Sequence, residues 1–247
     1  MSRGWLLKSE RRKKVKEAVG LGTLALIFLV GGLEKAKGQN SEAPPTKMAP
    51  LEQYLMDRKE EISLAESAAP ATISQDAEIL VLGRHGYETA AKGKNGFVCV
   101  VERSWAAGID DPEFWNPKLK GPMCFNPAAV RLRLPLTIKK TEWILSGQSK
   151  EQMFESVKNA LEKKELPMPE PGAMCYMMSK RAYFGAQFGH FVPHLMFFVP
   201  PTEDAAWGAG LPGSPVRVFQ GTPDRPTVFL IPVGKWSDGE AAPVDPH

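Results

Sequence analysis

The stretch Ile79–Val101, ILVLGRHGYETAAKGKNGFVCVV, decides how this chain is read. Ile79–Leu82 is a short apolar run bounded by turn residues, too brief for a helix of ordinary length, and it reads as a strand. His85-Gly86 is a turn candidate. Tyr87–Ala91 alternates weakly and reads as a second strand. Lys94-Asn95-Gly96 is a strong turn signal, because Asn-Gly tolerates the positive φ that tight hairpins demand. Phe97–Val101 supplies a third apolar run. The stretch therefore predicts an antiparallel β-meander.

Working outward, the C-terminal half holds further apolar runs at Ala173–Met178, Leu195–Val199 and Val228–Val233, with a shorter one at Val216–Phe219. These predict strands buried on at least one face. Helical signals lie elsewhere. Residues 48–67 carry an imperfect apolar face that Pro70 ends. Asn126-Pro127 places a capping side chain before a proline at the first helical position, and Pro135 is expected to stop the helix that follows. Asp111-Pro112 repeats the device over a shorter span. Thr137–Leu145 favours helix. Ser149 with Gln152 forms a capping box, and Met153, Val157 and Leu161 give an apolar face running to about Glu165. Strands and helices do not alternate regularly. The fold class expected is therefore α+β: antiparallel sheets with a few packed helices, in a single compact domain over 48–236. Residues 39–47 read as a linker and 237–247 as a loose polar tail.

The front of the chain has a different character. Residues 1–38 hold nine Lys/Arg and three Asp/Glu, whereas the remaining residues hold 22 and 25. The overall formal charge of +3 thus belongs to the leader, and the body is mildly acidic. Nucleic-acid binding needs clustered cations, so that class of partner is not expected. Ala18–Leu33 carries no charge and follows a basic segment. As a helix it would span about 24 Å, short of the roughly 30 Å hydrocarbon core. That is the pattern of a secretory signal. Ala36 and Gly38 permit cleavage before Gln39; the alternative is an uncleaved anchor. Either way the body is expected to be exported, periplasmic or secreted, with membrane contact only through residues 18–33.

In an oxidising compartment two of the three cysteines should pair. Cys99 lies in a strand-like run, and Cys124 follows a loop able to return to it. A Cys99–Cys124 bridge is therefore expected, contributing about 3.5 kcal/mol by the chain-entropy estimate. Cys175, within PGAMCYMMSK, reads as a small buried hydrophobe.

Three groups of residues could carry chemistry. An apolar strand running into Arg84-His85-Gly86 resembles the histidine phosphatase motif. The resemblance implies Arg84 as the anion holder and His85 as the nucleophile of a phosphohydrolase; the same residues also suit a plain turn. His190 and His194, four apart, are candidate ligands of zinc, or of copper given Met174, Cys175, Met177, Met178 and Met196 close by. Pro193 argues against a shared helix face, and no cofactor is otherwise implied. Finally, the irregular loop 103–123 brings Trp105 and Trp115 near Glu102 and Arg103, a set able to hold a small ligand. No P-loop, dinucleotide-binding glycine motif or GxSxG is present.

The stretches KGKNGFVCVVERSW (92–105), FWNPKLKGPMCFNP (114–127), PGAMCYMMSK (171–180), PHLMFFVP (193–200) and VFLIPVGKWSDG (228–239) resemble a group of exported bacterial proteins with no established activity. The resemblance implies export and a shared fold, and no mechanism. The function expected is therefore a non-enzymatic exported domain that binds a small ligand or a protein partner beside the Trp105/Trp115 loop. Phosphohydrolase and metal-binding readings are the alternatives.

Overall fold

The computed structural model describes residues 45–167, 170, 172–185, 189–219 and 227–243. The leader expected over 1–38 and most of the linker lie outside them. No helix among the described residues is long and apolar enough to cross a membrane.

Among the described residues eight strands form one sheet: β1 (Glu78–Gly83), β2 (Gly86–Ala91), β3 (Val98–Glu102), β4 (Gly121–Phe125), β5 (Met174–Met177), β6 (His194–Val199), β7 (Arg217–Phe219) and β8 (Thr227–Pro232). Their order is β2-β1-β3-β4-β5-β6-β8-β7. Among the described residues five α-helices accompany them: α1 (Arg58–Glu66), α2 (Ala71–Ser74), α3 (Pro127–Leu132), α4 (Leu134–Leu145) and α5 (Lys150–Glu162). The class is α+β; the apolar runs of β1, β3, β5, β6 and β8 lie inside the sheet, and the weakly alternating Tyr87–Ala91 and the short Val216–Phe219 form its two edges.

The meander is corrected at its second turn. β1 and β2 form the expected hairpin, but β3 pairs with the other edge of β1, in parallel. The sheet is thus mixed. The reason lies in the side chains. β3 (VCVVE) is buried along its whole length, whereas β2 (GYETAA) is half-buried to exposed. A continuous apolar strand gains most from a central position, covered on both faces. The Asn-Gly signal does mark a tight bend, with Gly96 at φ 79°, but the bend steers a crossover. Lys94 and Asn95 donate backbone hydrogen bonds to the Asp76 carbonyl, at 2.8 and 3.3 Å. Gly93 crosses so close to β1 that a Cβ there would lie 2.2 Å from the Glu78 nitrogen.

Cys99 and Cys124 stand directly opposite each other on β3 and β4 and are bonded as a disulfide. Their face of the sheet packs against α1 through Ile79, Val81, Val101, Leu64 and Ala65. The opposite face carries Val98, Val100, Met123, Phe125 and Cys175, covered by α3 and α4. Cys175 is fully buried and free. Loss of solvation pushes its thiol far above the ordinary range.

Helix boundaries follow capping chemistry. The Asp57 side chain accepts from the nitrogens of Lys59 and Glu60 and starts α1, so the expected helix 48–67 is divided, with only a 3-10 turn at Leu51–Gln53 before it. Asn126 caps α3 and Ser149 closes the capping box of α5. Pro135 does not end a helix; it lies in the first turn of α4, where its missing N–H costs nothing. The tail is corrected too. Up to residue 243 it is pinned: Ser237 donates to the Met178 carbonyl at 3.0 Å, and Lys180 holds both Asp238 and Glu240.

A candidate ligand cleft on the open half of the sheet

The helices cover only part of one sheet face. Side-chain alternation puts Met123, Met177, His194, Met196, Phe198, Val228 and Leu230 on the same face as Val100, and the cross-strand pairs Cys175–Met196, Met177–His194 and Met196–Leu230 align them in rows across the strands. α4 stands along one side of these rows and the loop Ala106–Asp111 closes another. Between them lies a cleft of about 560 Å³, open on one side to solvent. Its floor is predominantly apolar, with a small number of polar groups at the walls, which is the usual make-up of a small-molecule site.

The polar groups are locked by the surrounding fold. Glu102, at the end of β3, accepts from the Thr137 hydroxyl at 2.5 Å and lies 3.6 Å from the Arg133 guanidinium. Arg133 also donates to Thr137 and lies over the Phe198 ring, 5.8 Å from its centroid. Lys140 donates to the carbonyls of Ala106 and Ala107, tying α4 to the loop. Arg217 from β7 lies over the Phe191 ring. His194 is 3% exposed, and its Nδ1 lies 2.7 Å from the Val192 carbonyl. A carbonyl only accepts, so Nδ1 carries the proton and Nε2 presents its lone pair. Burial first, and Arg217 as a further cause, pull the ring's pKa down to about 4, so the imidazole is neutral at ordinary pH.

The expected site residues divide. Glu102 and Arg103 line the cleft, as does His194. Trp105 and Trp115 do not: they are 1% and 8% exposed and belong to a core at the end of the sheet with Tyr54, Phe114, Ile144 and Met153. The expectation that they form a ligand platform is corrected. Their large apolar area is used in packing, and the Trp105 indole donates to Thr141 at 2.9 Å. The loop they belong to still forms a wall of the cleft, through Ala106, Ala107 and Asp111. Arg103 is anchored rather than presented. Its side chain pairs with buried Glu61 at 2.8 Å and donates to the carbonyls of Tyr54 and Val101.

Arg84 and His85 form the two-residue loop of the β1–β2 hairpin and are exposed, with Arg84 paired to Glu52 at 3.0 Å. β1 and β6 are four positions apart in the sheet, about 19 Å at ordinary strand spacing. The histidines of the β6 region therefore do not reach His85. His190 is exposed, donates to the Ala182 carbonyl and meets the edge of Tyr183. It does not line the cleft with His194, so the two-histidine pairing is not formed. Among the described residues no three His, Cys, Asp or Glu side chains gather as a metal-binding group.

Sequence reasoning missed Arg133, Lys140, Arg217 and Met123; it named Met177 and Met196 as possible copper ligands beside His194 but not as the floor of a cleft. Alternation within HLMFFV and MCYM does place His194, Met196 and Met177 on one face once the strands are paired. The cations are brought in by a helix and an edge strand far away in sequence. No protein-family model, curated protein or solved structure matches the chain.

Proposed function

We propose that this is an exported, non-enzymatic domain that binds a small, largely apolar molecule in the cleft between α4 and strands β4–β8. The observation that carries the reading is the cleft of about 560 Å³, floored by methionine, phenylalanine and aliphatic side chains and bordered by fixed polar groups. Methionine is unbranched and polarisable, and a methionine floor adapts to ligands of varied outline. The wall residues are already held by one another, so the site is organised before a ligand arrives and little ordering cost is added on binding. The Cys99–Cys124 disulfide supports an oxidising compartment and hence export.

Titration of the full-length chain with an uncharged solvatochromic dye such as Nile red tests the reading. Saturable fluorescence enhancement is expected. Val228, half-buried in the cleft, is the residue to fill: Val228→Trp should weaken the dye at least about tenfold, roughly 1.4 kcal/mol, with the fold kept. Unsaturable enhancement, or full binding by Val228→Trp, would refute a ligand site here.

A further inference from the structure

We propose that His194, Met177 and Met196 form a coordination site for copper(I) on the floor of the cleft. The proposal goes beyond apolar ligand binding and does not rest on it.

The juxtaposition comes from the register of the sheet. Met177 on β5 stands directly opposite His194 on β6, and Met196 follows His194 by two residues on the same face. Directly opposed residues have Cβ atoms about 4.5–5.5 Å apart, and alternate residues of one strand are about 6.5 Å apart. Two thioether side chains, each with three rotatable bonds, can therefore bring their sulfurs to the imidazole. Met123 lies one strand further along the same row, the next position of the ladder that pairs Cys124 with Tyr176 and Phe125 with Cys175.

His194 supplies the second observation. Its ring is 3% exposed and lines the cleft, and its Nδ1 proton is engaged by the Val192 carbonyl. Among the described residues Nε2 has no hydrogen-bond partner. Metal-ligating histidines commonly have their far nitrogen fixed in this way by a backbone carbonyl.

The donor set selects the ion. Thioethers with imidazole and no carboxylate or thiolate suit soft copper(I) rather than zinc or a hard cation. The charges facing the site select in the same sense. Arg217 lines the same cleft and will disfavour a bound cation, a doubly charged ion about twice as much as a singly charged one. Arg133 is neutralised by Glu102, and Lys140 is turned to the loop carbonyls.

Competition for copper(I) against bicinchoninate, without oxygen, tests the site in the purified full-length chain. The protein should withdraw one equivalent from the coloured complex. His194→Phe and Met177→Leu should each lower the affinity at least tenfold, and Cys175→Ala should leave it unchanged. The Met→Leu exchange nearly conserves volume and keeps the fold. Copper-edge X-ray absorption of the loaded protein should show sulfur and imidazole scatterers together. No withdrawal by the folded protein, undiminished withdrawal by both site variants, or its abolition by Cys175→Ala would overturn the proposal. Dye binding reads the cleft's volume and copper reads its donors, so either idea can fail alone.

Discussion

At the scale of single residues, His194 is where burial and chemistry meet. An unfolded histidine takes its proton near pH 6.5, whereas the folded ring resists until about 4. Between those values the unfolded chain binds more protons, so stability falls as the pH drops through this window. The contribution at stake is about 3 kcal/mol in full. Urea unfolding of the wild type should weaken from pH 6.5 toward 4, and His194→Phe should flatten that slope. Equal slopes would show that the ring titrates normally. The buried pair Arg103–Glu61 acts differently: its two charges satisfy each other and three backbone groups, since Glu61 also accepts from the Leu82 nitrogen at 3.0 Å. Losing either partner would strand the other, typically a cost of about 3–5 kcal/mol. Sequence alone marked Arg103 as a ligand contact because no periodicity reveals that a side chain turns inward to meet an acid 42 residues away.

At the scale of elements, local signals were legible and pairing was not. Capping chemistry is short-range, so Ser149 with Gln152 and Asn126 with Pro127 announced α5 and α3 directly. The apolar runs announced their strands for the same reason. Which edge of β1 receives β3 depends on burial over the whole sheet, and the Asn-Gly bend serves a crossover as readily as a hairpin. Gly93 reports the outcome. A methyl group there would meet the β1 backbone, so Gly93→Ala should cost about 1–3 kcal/mol in urea unfolding. Gly234→Ala, where nothing lies within 4 Å, should change stability by no more than about 0.5 kcal/mol. Equal effects at the two positions would contradict the crossover.

At the scale of the whole molecule, the fold is an eight-stranded sheet stapled by one disulfide and covered by helices on one half of the cleft-bearing face. The uncovered half becomes the cleft. Fold class and the cysteine pairing could be read in the sequence, because both follow from runs and spacings of neighbouring residues. The cleft could not: Arg133, Met177, His194 and Arg217 converge only after β5, β6, β8 and β7 are laid side by side with α4 against them. The tryptophans drew attention as a ligand platform, yet their size made them core. Methyl-labelled methionine NMR of the full-length chain, titrated with the uncharged dye, tests the cleft as the binding site most directly. The methyl signals of Met123, Met177 and Met196 should shift together while Met153, fully buried in the other core, stays in place. Dye binding that leaves those three signals unmoved, or moves Met153 as far, would contradict the account.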